Sequence, residues 1–394
     1  MPKKMSDEVV DAILTRIKSH CQKHNTETFR IIFHGGEPLL TGKNFYENFV
    51  KVAEEKFKET GIILRYSLQT NGLLLNEEWC DLFARLNISF GISLDGTKEA
   101  NDKYRVDHQG KGTHSRAVKG LKIAQNSESL KSLQRSPGIL SVINTSIDPI
   151  EIYEHYKELQ VKRISFLFPD NTYDDPPHEL ANGDLSIRRS QTPFADWLIA
   201  IFDQWFYETD SKPRISLFYY IIHIIFGEDI TSDLFGTDDL EVLSIETDGS
   251  IEANPTFSIC GNGFTKTGIN VLTNELDEAF QTELAAMYYG SKSRLCKQCN
   301  GCPINDICGG GFAPHRYMKS KGFNNPSIYC SDLLKLITHI QNKVLMEFSD
   351  SRLEQMGVAP LTFEEAKEII ISKMEYLEEP DYASELEEFS VITK

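Results

Sequence analysis

Positive charge is scarce in this 394-residue chain: 41 Lys and Arg face 58 Asp and Glu, for a formal charge of −17. That balance excludes a broad phosphate-binding surface for nucleic acid. Long apolar runs are also absent. The most apolar stretch, Ile215 to Phe226, is too short to span a membrane, since a spanning helix takes about 20 apolar residues. The opening MPKKMSDEVVDAILTRIKSH scatters charges among its apolar positions and has no continuous signal-peptide core. No internal repeat is evident, and the composition is neither that of a disordered chain nor that of a small disulfide scaffold. These absences predict a cytoplasmic globular protein, long enough for two domains, with no nucleic-acid or membrane partner.

Helix and strand signals alternate as far as Phe168. Ser6 can cap a helix whose Val9, Val10, Ile13, Leu14 and Ile17 share one face, with Asp7 and Glu8 in its first turn. FRIIF, IILRYSL, ISFGISL, GILSVIN and RISFLF follow as strands, each separated from the next by a helical stretch. This order predicts an α/β fold with a parallel sheet covered by its crossovers. The first element is a helix, so the register predicts an empty sheet position beside the first strand; an α/β topology that starts on a helix has the same pattern. After Phe168, PDNTYDDPPHELANGD reads as a long loop, Pro193 starts a helix with Phe194, Trp197, Leu198, Ile201, Phe202 and Trp205 inward, and Ile215 to Phe226 reads as a core helix. The expected divisions are 1–185 for the α/β unit, 186–240 for a helical connector, 241–345 for a cysteine-rich domain, and 346–394 for a helix with a solvated acidic tail.

Four loops follow strands: His34-Gly35-Gly36-Glu37-Pro38, Gln69-Thr70-Asn71-Gly72, Ser93-Leu94-Asp95-Gly96 and Pro169-Asp170-Asn171. In a parallel sheet they converge on one edge, where ligands bind. Gly35 and Gly36 let backbone pass close to a small ligand, and Glu37 can accept from an ammonium group, or be a surface glutamate on a tight turn. Five of the eight cysteines fall between Cys296 and Cys330. Cys299, Cys302 and Cys308, spaced Cys-x2-Cys-x5-Cys, can join Cys330 as four thiolates around zinc or an iron–sulfur cluster. The spacing does not choose between the two. Cys296 can replace one of the four, share a second site with Cys260, or stay free. Cys21 and Cys80 read as core or surface thiols, and His315 as a packed, hydrogen-bonded histidine rather than a ligand.

Taken in order, IIFHGGEPLLTG, SLQTNGLLL and ISFGISLDGTKEANDKYRVDHQGKGTHSRAVKG resemble successive motifs of the radical S-adenosylmethionine (SAM) superfamily. CKQCNGCPINDICGGGFAPHRYMKSKGFNNPSIYCSDLLKLI resembles the terminal region of SPASM-containing peptide maturases, especially those that install cyclophane crosslinks. The resemblance implies a partial (β/α)6 barrel lacking its first strand, followed by a SPASM-like domain. It implies that Gly35, Gly36 and Glu37 contact the SAM amino group, that Gln69, Thr70 and Asn71 lie near the ligand, and that Ser93 and Asp95 orient ribose or substrate. Arg105 looks like the arginine that follows the Ser-Leu-Asp-Gly motif; Asp95, Arg105 and Asp170 are the candidates for catalysis or substrate orientation. The resemblance turns Cys299, Cys302, Cys308 and Cys330 into ligands of an auxiliary [4Fe-4S] cluster. Thr273 and Phe312 stand where a fuller pattern has cysteines, which implies one auxiliary cluster rather than two. The implied partners are a ribosomally synthesised precursor peptide and a reductant such as flavodoxin or ferredoxin.

The superfamily holds its radical-initiating [4Fe-4S] cluster on Cys-x3-Cys-x2-Cys, and no such trio occurs in the chain. The expectation is that a complete form binds that cluster upstream, and that this chain alone does not start radical chemistry. In the complete form a 5'-deoxyadenosyl radical from SAM takes hydrogen from a peptide carbon, which then couples to an aromatic side chain. The alternative is a naturally shortened adaptor that keeps a cluster or zinc and binds peptide.

Overall fold

The computed structural model describes residues 2–391 apart from 182, 211, 239–241, 357 and 358. The expected division at 240/241 and the end of the tail, 392–394, lie outside the described residues. Six strands, β1 (Thr28–Phe33), β2 (Ile63–Thr70), β3 (Ile88–Ser93), β4 (Gly138–Val142), β5 (Arg163–Leu167) and β6 (Arg214–Ile215), form one parallel sheet in chain order. Parallel neighbours need a crossover at each step, supplied by helices that include Lys43–Phe57, Glu77–Arg85, His114–Asn126, Pro149–Glu158 and Pro193–Tyr207. All five strands legible in the sequence are present, and the α/β class stands. Among the described residues β1 pairs with β2 alone, leaving its outer edge open.

One expectation is corrected here. Ile215 belongs to β6, and the helix occupies Ser216–Ile225; a two-residue strand entering a continuous apolar helix leaves no break in pattern.

The two faces of the sheet differ. On the helix-covered side Phe33 meets Phe45, Tyr46 and Phe49 edge-on or nearly so, at 5.1–6.3 Å between ring centroids. Alternate residues point the other way, and there Arg30, Ile32, Arg65 and Leu167 are open to water. The side away from the helices is therefore an accessible floor below the loops at the strand ends.

The second half carries a small antiparallel sheet of β7 (Ser244–Ile245), β8 (Ser250–Glu252) and β9 (Lys266–Asn270), followed by the Cys330–Leu345 helix. Asp332 on that helix is fully buried; it pairs with Arg189 and accepts from the backbone N–H of Phe194 (2.9 Å) and Ala195 (3.0 Å) at the start of the Pro193–Tyr207 helix. Removing one partner leaves the other charge stranded, which costs about 3–5 kcal/mol. Asp332→Ala is accordingly expected to lower the unfolding free energy by that amount, read by chemical unfolding, whereas exposed Asp381→Ala leaves it unchanged.

The acidic tail does not extend into solvent. Tyr382, Leu386 and Phe389 fall on one side of the Ala383–Glu388 turn; Leu386 and Phe389 are buried, and the Tyr382 hydroxyl donates to Leu295 O at 2.9 Å. Three apolar rings and branches at helical spacing outweigh the surrounding glutamates, which stay on the wet side.

Candidate functional site

Three side-chain clusters stand at the C-terminal edge of the sheet. After β1, Gly35 adopts φ +123°, a conformation open to glycine, and both Gly35 and Gly36 are exposed with nothing within 4 Å of where a Cβ would lie. The Glu37 carboxylate accepts from Leu39 N (3.1 Å), Thr70 Oγ1 (2.7 Å) and Asn71 N (2.9 Å), so it fastens the β1 loop to the end of β2. A carboxylate has roughly four acceptor positions; one remains for a ligand. Gln69 Nε2 donates to Ser93 Oγ at 2.9 Å, bridging β2 to β3. Gly91 makes room for this bridge, because a Cβ there would meet Gln69 Oε1 at 2.5 Å.

Asp95 and Arg105 come together, as a forked ion pair at 2.5 and 3.2 Å. Asp95 also accepts from Val142 N at 2.9 Å, which ties the end of β3 to that of β4. Its carboxylate is thus committed to organising the edge. Asp170 stands apart, beyond β5, within electrostatic reach of a residue that no motif singles out, Asp233. Both residues are exposed; partial desolvation by nearby protein, then the Asp233 charge, raises the Asp170 carboxyl above its ordinary range, and partial desolvation raises Asp233.

The other expected site is a thiol cage. Cys299, Cys302, Cys308 and Cys330 line one cavity with Leu333, Leu334 and Ile370. Burial pushes the Cys302 thiol up to about 12 and raises those of Cys308 and Cys330. Thiols so placed resist ionising unless a metal supplies positive charge. Cys296 Sγ lies 3.6 Å from Cys299 Sγ, at the rim of the same set. Cys260 is elsewhere, in an aromatic core with Phe257, Phe264, Tyr317 and Phe323. Cys21 and Cys80 are buried in the core of the first half. His315 packs edge-on against Phe312 and Tyr329, and burial lowers it to about 3 against an opposing pull from the Pro169 backbone. It is packed, as expected.

Arg316 is the residue beside the cage whose role the motif did not show. It is 3% exposed, and its guanidinium donates to the carbonyls of Gly309, Gly310 and Gly311, each at 2.9 Å, and of Ser291 at 2.5 Å. Those three glycines have φ of +57°, +74° and +71°, a left-handed run that turns successive carbonyls onto one cation. No carboxylate pairs with Arg316 among the described residues; Cys299, Cys296 and Cys308 lie within electrostatic reach, so thiolates formed there would stabilise its charge.

Comparison with known proteins matches residues 1–139 to the Radical SAM superfamily. That stretch is similar to a radical-SAM domain. Over 334 residues the chain is 27% identical to a cysteine-type anaerobic sulfatase-maturating enzyme of Clostridium novyi, covering 83% of each chain. A serine-type anaerobic sulfatase-maturating enzyme of Bacteroides thetaiotaomicron is 26% identical over 76% of this chain and 74% of its own. Among solved structures, anSMEcpe with bound AdoMet superposes with a TM-score of 0.73 at 22% identity, over 87% of this chain and 90% of that one.

The residues can be tested against the groups that the radical-SAM family uses. For SAM, the residues fit: the open glycine cradle and the spare acceptor position on Glu37 suit an amino-acid ammonium. For an auxiliary cluster they also fit, as four soft donors around one cavity. The initiating cluster is different. It needs three cysteines at the strand edge, whereas Cys21 and Cys80 are core residues of the Asp7–His24 and Glu77–Arg85 helices. The residues present do not fit that cluster.

Proposed function

We propose that this chain supplies the SAM- and peptide-binding parts of a SPASM-type radical-SAM maturase of a ribosomally made peptide, active in a complete form that holds the initiating cluster, with SAM on the β1–β3 edge and one auxiliary [4Fe-4S] cluster on Cys299, Cys302, Cys308 and Cys330. The observation that carries this reading is the link between the two sites. The Tyr329 hydroxyl donates to Pro169 O (2.9 Å) and Asn171 Oδ1 (3.2 Å), and the next residue is Cys330. One tyrosine therefore fastens the cage to the β5 loop that bears Asp170, and a peptide over the open floor of the sheet would lie between SAM and cluster. In a complete form that also holds the initiating cluster and receives an electron from the reductant, SAM would supply the hydrogen-abstracting radical and the auxiliary cluster an electron sink. The protein's own part is positional: Glu37 holds the ammonium, Gln69, Thr70, Asn71 and Ser93 shape the ligand's surroundings, and Asp95 with Arg105 keeps the edge rigid. Asp170, raised by burial and by Asp233, is placed to take a proton from the peptide.

The proposed product is a carbon–carbon crosslink to an aromatic side chain, two hydrogens lighter than the precursor, with flavodoxin or ferredoxin as reductant. The relatives named above carry sulfatase-maturating names, and peptide oxidation without a crosslink is the neighbouring outcome. A second reading is an adaptor that binds peptide without radical chemistry.

Anaerobic incubation with SAM, dithionite and candidate precursor peptides, followed by mass spectrometry, separates these readings. The chain in hand is expected to bind SAM and peptide yet release no 5'-deoxyadenosine, and a version extended by a Cys-x3-Cys-x2-Cys segment to release it and shorten the peptide mass by two hydrogens. An extended version that binds peptide and leaves SAM intact would establish the adaptor. Within the same preparation Glu37→Gln is expected to weaken SAM binding about 10-fold or more, since a hydrogen bond to a charged group contributes about 1.5–3 kcal/mol; equilibrium dialysis reads this directly.

A further inference from the structure

The seam between the two halves holds a cluster that the maturase reading does not use. His20 and His24 stand one turn apart near the end of the Asp7–His24 helix, and Asp277 reaches them from the Leu276–Phe280 helix of the C-terminal half. His20 Nδ1 lies 2.6 Å from Asp277 Oδ1, and His24 Nε2 lies 3.1 and 3.0 Å from Oδ1 and Oδ2. The ligand atoms all fall within 4.8 Å of one another.

We propose that His20, His24 and Asp277 form a transition-metal site of the zinc class that staples the first helix to the C-terminal half. Two imidazoles and one carboxylate suit Zn2+, whose bonds of about 2.0–2.1 Å at tetrahedral angles set neighbouring ligand atoms about 3.3 Å apart. The carboxylate-to-imidazole distances of 2.6, 3.1 and 3.0 Å are hydrogen bonds that would open by up to about 0.7 Å to admit the ion. The two histidine rings are 4.6 Å apart, and His20 is held from behind by Phe280, stacked at 5.7 Å, and edge-on by Phe29. Packing therefore orients one ligand before any ion arrives. The site sits at the carboxyl end of an 18-residue helix, where the backbone dipole favours a cation. The fourth position faces solvent on the His24 side, where the side chain is 47% exposed.

One group competes for the site. Lys23 donates to Asp277 Oδ2, and its side chain is 65% exposed, so the ammonium can move into water when an ion binds. Arg16, paired with Glu275 and donating to Val271 O at 3.2 Å, braces the same seam and stays in place. This arrangement distinguishes a metal site from a plain charge cluster: in the cluster Lys23 contributes to the seam, whereas in the metal site it opposes the ligand.

The test is a Co2+ titration of the full chain after its cysteine cage has been loaded with iron and sulfide. A single equivalent is expected to bind with visible ligand-field absorption and without the near-ultraviolet sulfur-to-cobalt band that a thiolate site produces. Zn2+ is expected to displace it and to raise the unfolding temperature. His24→Ala, at a surface position that does not threaten folding, and Asp277→Asn should each weaken binding by about 10–100-fold or more, the range already seen when only an outer partner is lost. Lys23→Ala should tighten it. A Co2+ spectrum unchanged in His24→Ala and Asp277→Asn, or no uptake beyond the thiolate cage in the parent chain, would overturn the proposal, as would weaker binding in Lys23→Ala. None of these readings depends on SAM cleavage, so their failure leaves the maturase reading intact.

Discussion

Cys302→Ser is expected to strip the chain of its auxiliary cluster, taking iron and acid-labile sulfide from about four of each per chain to near zero. The four thiols share one cavity with Leu333, Leu334 and Ile370 and with the uncharged polar Gln298, Asn305 and Ser327, so no carboxylate lines it to replace a missing sulfur. A serine hydroxyl is a harder and far less acidic donor, and iron–sulfur clusters select thiolate. The loss should also reach stability. Structural metals in small domains contribute about 10–16 kcal/mol of apparent binding energy, and the cage joins the short Lys297–Asn300 and Asn305–Cys308 helices to the Cys330–Leu345 helix. Metal analysis with thermal unfolding of anaerobically loaded protein checks both. Two controls define the ligand set: Cys80→Ser, deep in the other half, keeps the iron, and Cys296→Ser keeps it too if the four cysteines assigned here are the ligands. A chain that loses its iron on Cys296→Ser and keeps it on Cys302→Ser would reassign the cage, and one that takes zinc in place of iron from iron-replete medium would replace the cluster.

Arg316→Met is expected to carry the next largest effect. Methionine matches the stem but leaves the carbonyls of Gly309, Gly310, Gly311 and Ser291 without their donor, and each unsatisfied buried polar group costs about 1–3 kcal/mol. A loss of at least about 3 kcal/mol in chemical unfolding follows. The cation also matters to the cluster it faces. Reduction adds a negative charge beside the guanidinium, so removing the positive charge should move the cluster's reduction potential in the negative direction, by about 59 mV for each 1.4 kcal/mol of interaction lost in a one-electron step. Arg316→Lys separates the two effects: it restores the charge, and with it most of the potential, while a single ammonium cannot serve four carbonyls arranged around a planar fork. An unchanged potential in Arg316→Met, measured by redox titration followed by paramagnetic resonance, would reduce Arg316 to a brace of the glycine turn.

Much of this protein was settled by local pattern. Period-two runs such as IILRYSL and ISFGISL, alternating with period-3.6 stretches, determined five of the six strands of the large sheet and their parallel order, because each strand buries one face against a crossover and says so in its own residues. The loops that end those strands had to converge, since parallel strands all finish at the same edge. Cysteine spacing likewise determined the thiol cage, three of whose members come from ten consecutive residues, Cys299 to Cys308.

What the tertiary structure alone decided are the partners of these groups. Asp95 and Arg105 were legible as individual candidates, but that they hold each other, with Val142 N as third member, depends on β3 lying beside β4. Asp233 carries no motif and acquires its place only by coming within electrostatic reach of Asp170. The acidic tail reads as solvated until Leu386 and Phe389 meet the core that Phe323 lines. His20 and His24 are separated from Asp277 by more than 250 residues, and nothing in either segment refers to the other. Periodicity reports which way a side chain points relative to its own backbone; it holds no record of what stands opposite, because that distance is set by packing among elements far apart in the chain.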